Sequence, residues 1–166
     1  AIYAHGANNS AGVVVTTSGV PVDFAGVQSY LDSASNQWAN QGTHVNVVNG
    51  QLTLNANQGN TTVYFQVTGS QLASLNTLTI NAQSTTTVVI NVSGKTVNFG
   101  NAGFNLNNGI GKQNVLFNFN DATSLGLSGI GVQGSVLAPY ANVNFSNGAV
   151  YGSLIAYTLS GNGQTS

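Results

Sequence analysis

Gln133-Gly134-Ser135-Val136-Leu137-Ala138 returns as Tyr151-Gly152-Ser153-Leu154-Ile155-Ala156, an offset of 18 residues from Gly134 to Gly152. In both copies a Gly-Ser pair leads into two branched apolar residues and a small Ala, which suits a short strand with a tightly packed neighbour. Between them lie Pro139, the alternating run Asn142-Val143-Asn144-Phe145 and the turn signal Asn147-Gly148. A period of this size, containing strands and corners but no room for a helix, describes one coil of a β-solenoid. Such a coil cannot bury its apolar face alone, so each must stack on the next.

The same patterning extends outward through the chain. The run Val13-Val14-Val15-Thr16-Thr17 reads as a strand closed by Ser18-Gly19. Phe24, Val27, Leu31, Ala34 and Trp38 recur at spacings of 3, 4, 3 and 4, which predicts one amphipathic helix over residues 21 to 41. Pro21 and Asp23 suit its start and Gly42 its stop. Its stripe is expected to lie on the side of the solenoid, with Phe24 and Trp38 as anchors. Asn49-Gly50, between Val45-Asn46-Val47-Val48 and Gln51-Leu52-Thr53-Leu54, predicts a hairpin. Strands follow at 62–68, 78–82, 87–92, 96–99, 115–119, 132–138 and 150–159. Residues 71–75 read as a helical turn and Gly100 to Gly111 as a loop. The fold class is mainly β, a β-solenoid (β-helix) of short coils with one amphipathic α-helix packed alongside. Residues 1–19 form an N-terminal arm or strand and residues 20–166 a single solenoid domain.

Charge narrows the function. Only 3% of the residues are charged, against an ordinary value of about 25%. Asp23, Asp32, Asp121, Lys95 and Lys112 are the whole set. The surface is therefore covered by Asn, Gln, Ser, Thr and Gly, and a net charge of −1 leaves little repulsion between copies. Without a basic stripe the chain has no means of replacing phosphate counterions, which argues against nucleic acid as a partner. Electrostatic attachment to anionic membranes is disfavoured for the same reason. No apolar stretch reaches the roughly 18 residues of a membrane span. There is no Cys, hence no disulfide framework and no thiolate chemistry. The chain begins at Ala1 without a leader, which reads as a mature secreted form or a trimmed chain.

From Val115-Leu116-Phe117-Asn118-Phe119-Asn120-Asp121-Ala122-Thr123, through Gly134-Ser135-Val136-Leu137-Ala138-Pro139-Tyr140-Ala141, to Gly152-Ser153-Leu154-Ile155-Ala156, the sequence resembles the choice-of-anchor A domain of bacterial surface proteins. Pro21-Val22-Asp23-Phe24 opening a helix matches the same pattern, and the resemblance covers about residues 20 to 162. It implies a secreted or surface-attached β-helical domain with an adhesive or structural role, laid out like the ice-binding fold with a helix beside a β-solenoid. The family's varied C-terminal anchors have no counterpart here, since neither a sorting motif nor a final apolar span is present.

No reaction centre emerges from the residues. His5 and His44 are the only histidines and neither has a carboxylate or second ligand nearby in sequence, so no catalytic residue, metal site or cofactor is expected. Asp23 reads as a helix cap, and Asp121 as an Asx turn rather than a calcium ligand. Tyr64, Tyr140, Tyr151 and Tyr157 could form a glycan-stacking surface, though alternation predicts that at least half point inward. Thr85-Thr86-Thr87 and Thr77-x-Thr79 are like the Thr-bearing faces of ice binders, but the pairs do not recur once per coil.

The leading expectation is a non-enzymatic extracellular protein that assembles with itself into a fibre or matrix. The subunit contact is placed on Ile2, Tyr3, Val13, Val14 and Val15, which could supply a strand to the next copy. One alternative is a monomeric surface adhesin binding an extracellular polysaccharide or host matrix; the other is an ice-binding protein.

Overall fold

The computed structural model describes residues 2–4 and 24–166; Val13, Val14, Val15, His5, Pro21 and Asp23 lie outside them. The described chain opens with β1 (Ile2–Ala4) and α1 (Phe24–Trp38), and then winds through six coils. The first holds β2 (Thr43–His44) and β3 (Gln51–Ala56). The second holds β4 (Thr62–Thr68), the short helix α2 (Gly69–Ala73) and β5 (Thr77–Ala82). The third holds β6 (Thr87–Ser93), β7 (Thr96–Gly100) and β8 (Gly103–Asn107), and the fourth β9 (Val115–Asn118), β10 (Ser124–Ser128) and β11 (Gly131–Val132). Coil five is β12 (Ser135–Ser146) and β13 (Ala149–Val150); coil six is β14 (Leu154–Gly161) and β15 (Gln164–Thr165).

Every strand ladder between coils is parallel; the isolated bridge Gln83–Gly109, at a corner, is antiparallel. One curled sheet runs β14-β12-β9-β6-β4-β2, and β7 and β10 continue it round a corner against the C-terminal half of β12. The closing strands make two smaller sheets, β3-β5-β8 and β11-β13-β15. The fold is thus the β-solenoid with a flanking helix that the sequence predicts. The two copies of the repeated motif are stacked neighbours, with Val136, Leu137 and Ala138 beside Leu154, Ile155 and Ala156. Coil length is not constant: Thr62 pairs with Thr87 and Val88 with Val115, whereas Phe117 pairs with Val136 and Val136 with Leu154. Coils four to six turn their corners with fewer residues, and β12 and β14 each bend across two faces. The bend in β12 is a bulge at Pro139-Tyr140-Ala141, where the register shifts against β14 and where proline, which lacks an N–H, removes no ladder bond that a regular strand would need.

Alternation drives the core. Strands β3, β5 and β7 bury every second side chain, so Leu52, Leu54, Leu78, Ile80, Val97 and Phe99 point inward. Registered stacking turns these into columns, such as Ile90-Phe117-Val136-Leu154 and Phe99-Leu127-Phe145. Phe99, Phe104 and Phe117 meet with ring centroids 5.4 to 5.9 Å apart, within the range of tilted and edge-on contacts. Strand β6 is buried on both sides, from Val88 to Val92, because α1 covers its outer face.

A polar clamp holds that helix. Ser35, fully buried, donates from Oγ to Asn118 Oδ1 (2.5 Å), and Asn118 Nδ2 donates both to the Ser35 carbonyl (2.9 Å) and to Asn91 Oδ1 (2.8 Å). Asn91 Nδ2 then donates to the carbonyls of Trp38 (2.7 Å) and Gln41 (2.9 Å), and Gln66 Nε2 donates to the latter at 3.3 Å. The sheet thereby gives second donors to the Ser35 and Trp38 carbonyls, which also take the Ala39 and Gln41 N–H groups, and supplies the donors to the Gln41 carbonyl just past the helix end. This corrects the expected anchoring. Val27 is 48% exposed and Trp38 only partly buried, while Ala34 and the polar Ser35 are the buried positions. Nothing is described of the Phe24 side chain.

Four further expectations need correction. Asn49 and Gly50 take positive φ (51° and 74°), and Val48 and Gln51 exchange two 2.9 Å backbone bonds, but the hairpin ends there. Strand β3 departs to pair in parallel with β5, so the turn is a coil corner. The expected loop from Gly100 to Gly111 contains β8. The runs 132–138 and 150–159 each split at a Gly-containing corner into two strands. Strand β10, Ser-Leu-Gly-Leu-Ser, was not anticipated. The helical turn near Gln71 is α2, with a capping box in which Thr68 Oγ1 accepts from the Gln71 N–H and Gln71 Oε1 accepts from the Thr68 N–H.

Replacing Asn118 by Ala should strand the Ser35 hydroxyl and Asn91 Oδ1, while the Ser35 carbonyl keeps the Ala39 N–H, costing on the order of 3 kcal/mol. Asn144→Ala, on an exposed position with no described partner, should stay within about 0.5 kcal/mol of the parent. Urea unfolding followed by far-UV circular dichroism compares the two, and equal midpoints would contradict the clamp.

Candidate adhesive surfaces

Each face of the solenoid offers a different chemistry. On the outer face of the curled sheet, α1 is fastened over β6, β9 and β12 through Asn91, Asn118 and Tyr140, while β2 stays exposed. On the sheet β3-β5-β8 the outward residues align as Thr53-Thr79-Asn105 and Asn55-Asn81-Asn107. These groups bind one another: Asn81 Nδ2 donates to Asn55 Oδ1 (2.8 Å), Asn107 Nδ2 to Asn81 Oδ1 (2.9 Å) and Asn105 Nδ2 to Thr79 Oγ1 (3.4 Å). The result is a flat, uncharged amide ladder whose donors and acceptors are largely satisfied in place.

The face of β7, β10, β12 and β14 differs. Its outward rows are Thr96-Ser124-Asn142-Thr158 and Asn98-Gly126-Asn144-Ser160. Gly126 interrupts the second row, and a trough of about 450 Å³ runs over it, walled at one end by Ala73 of α2. A Cβ on Gly126 would lie 2.6 Å from Asn98 Oδ1, so the glycine leaves room for that amide to lean across. Asn142 accepts from the Thr158 hydroxyl at 2.7 Å. No charged side chain lines the trough.

The solenoid's last coil carries β1. This strand lies antiparallel on β14, with Ile2 beside Ala156, Tyr3 beside Ile155 and Ala4 beside Leu154, in a sheet whose other pairings are parallel. It is the chain's own first strand that occupies this edge.

The remaining candidates are structural where they are described. His44 sits exposed on β2, beside a crevice of about 50 Å³ lined also by Gln66, Asn91 and Asn120. Among the described residues no three His, Cys, Asp or Glu side chains gather to hold a metal ion. Asp121 Oδ1 accepts the Gly94 N–H at 3.0 Å and so ties the corner of coil four to that of coil three, an Asx role across coils rather than within one turn. None of the four tyrosines is buried, contrary to the expectation from alternation. Tyr140 and Tyr157 are 39% and 56% exposed, Tyr64 and Tyr151 partly so. Tyr140 Oη accepts from Asn36 Nδ2 of α1, and the Tyr151 ring carries Lys112 Nζ at 4.8 Å from its centroid. They are scattered, and do not make one stacking surface. No helix among the described residues is long and apolar enough to cross a membrane.

No curated protein and no solved structure matches the chain. A family model does, over residues 1–166, and its description is "Putative Ice-binding-like adhesive domain" (pAdhesive_15). The expected kinship with ice-binding-like, adhesive β-solenoids holds at that level, under a different family title from choice-of-anchor A. Matched along its whole length, the chain belongs to this family of ice-binding-like adhesive domains.

Proposed function

We propose that this adhesive domain is a non-catalytic, extracellular module that coheres with copies of itself by exchanging its N-terminal strand. The observation that carries the reading is β1, the lone antiparallel strand at the edge of a parallel sheet, drawn from the opposite end of the sequence. Residues 5–23 join it to α1 and can span up to about 60 Å when extended, against roughly 30 Å for six stacked strands. The arm is thus long enough to reach a neighbouring molecule. Pairing of one copy's β1 with the next copy's β14 keeps the same backbone bonds and joins unlike surfaces, so the contact repeats without closing and generates a filament. A net charge of −1 adds little repulsion to such packing. Membership of an adhesive family supports a surface or extracellular setting.

A second reading, ice binding, is favoured by the flat β3-β5-β8 face and the family description. The Thr53-Thr79 rung continues as Asn105, however, and the Asn groups are paired with each other.

Deletion of residues 1–12 should abolish filaments in negative-stain electron microscopy while leaving a folded solenoid by circular dichroism. Filaments formed equally well without those residues would overturn the strand-exchange reading. If ice is the ligand, the parent should inhibit ice recrystallisation and Thr79→Lys should remove that activity; a parent without inhibition excludes this second reading.

A further inference from the structure

We infer that the trough over Gly126 is a binding subsite for an extended, neutral polysaccharide. The inference gives the adhesive reading a ligand and a place, and it is independent of strand exchange. Two faces of the solenoid carry asparagine rows, and they differ in what the amides do. On β3-β5-β8, Asn55, Asn81 and Asn107 bond to one another in sequence. Along the trough, the side chains of Asn98, Asn101, Ser124 and Asn144 make no hydrogen bond with another described residue, and all four line the same cavity. Donors and acceptors held on rigid strands, and not consumed by their neighbours, are available to a ligand.

The chemistry of the ligand follows from the lining. Carboxamides and hydroxyls each donate and accept, which matches the alternating capacity of sugar hydroxyls. The absence of any charged side chain gives an anionic chain no counter-charge and a cationic one no carboxylate. Asn98 and Asn144 flank Gly126 on the strands to either side, so they stand about 9.6 Å apart at two strand spacings. That is the backbone separation, and the lean of Asn98 toward Gly126 brings its amide nearer to Asn144, so both amides fall within reach of one short run of sugar rings lying across the strands. The glycine between them has no side chain, and the Asn98 carboxamide leans into the space above it, so an amide oxygen with no protein donor faces the trough there. A cavity of about 450 Å³ holds a short run of rings, and ligand pockets generally span about 300 to 1,000 Å³. With no aromatic ring exposed in it for stacking, each subsite binds weakly, and arrays of the domain gain by avidity.

Equilibrium dialysis of the full chain against fluorescently labelled cellohexaose tests this in monomers and filaments alike. The parent should retain the label saturably, at one oligosaccharide per chain. Asn98→Ala combined with Asn144→Ala should weaken retention about tenfold, and Gly126→Val should remove it. Asn81→Ala, on the other amide face, should change nothing. If Gly126→Val fails to fold by circular dichroism, the double alanine variant carries the test. No saturable retention by the parent, equal retention by all variants, or equal retention of an alginate hexasaccharide would overturn the inference. Electron microscopy of the same samples separates the two proposals. Binding without filaments removes strand exchange alone, and filaments without binding remove this subsite alone.

Discussion

A stack of parallel strands must stop somewhere, and where it stops a row of backbone donors and acceptors faces outward. That constraint shapes this molecule from end to end. Six coils satisfy each other's backbone through parallel ladders, and every rung of Leu, Ile, Val and Phe in the core depends on a neighbour above or below. Beyond coil six, β14 has no parallel partner among the described strands, and β1 pairs with it there at Leu154, Ile155 and Ala156. An exposed edge of this type is an aggregation hazard when left bare and a specific joint when one strand is provided for it. In the structure this pairing closes a single molecule; the proposed exchange keeps the same backbone bonds and takes the strand from the next copy.

The second organising contact is the clamp between α1 and the curled sheet. It is built of amides instead of the apolar stripe that helical spacing suggests. Asn118 uses both amide protons and its oxygen, and Asn91 does the same, so each is satisfied inside the protein. This gives physical meaning to the Asn118-Phe119-Asn120-Asp121-Ala122-Thr123 run. Asn118 fastens the helix, Phe119 and Ala122 are fully buried, Asp121 ties the neighbouring coil through Gly94, and Thr123 donates its hydroxyl to the Lys95 carbonyl. Pro139 and Tyr140 likewise serve the bulge in β12 and a hydrogen bond from Asn36. Polar residues are committed to the clamp on one face and to their own ladder on another, while the amides of Asn98, Asn101 and Asn144 stay open over the trough at Gly126.

Much of this architecture is legible in the sequence, and what is not has identifiable causes. The repeat of Gly134-Ser135 at Gly152-Ser153 marks the stacking register directly, because a parallel coil places like residues over like. Strand β4 is read correctly because Val63, Phe65 and Val67 alternate without interruption. Strands β8 and β10 escape notice because each has only two large apolar residues, set among Gly, Asn and Ser. Their partners in the adjacent coils, not their own composition, make them strands. Asn49-Gly50 codes correctly for positive φ but says nothing about where the chain goes next. The helix misleads in its anchor, since Ser35 is buried only because Asn118, 83 residues away in sequence, is there to receive it. The trough is invisible in one dimension, for it arises from Asn98, Gly126 and Asn144 falling into register across three coils.

The central claim is that the N-terminal strand passes between molecules, and the chain's lack of cysteine permits a direct test. Tyr3 and Ile155 are register partners across β1 and β14, at a separation of about 5 Å that a disulfide can bridge. Cysteines placed at both positions and oxidised after assembly report which copy supplies the strand. The account predicts a ladder of covalent multimers on a non-reducing gel, dissolved by reductant. Internally closed monomers alone, at every concentration, would contradict it.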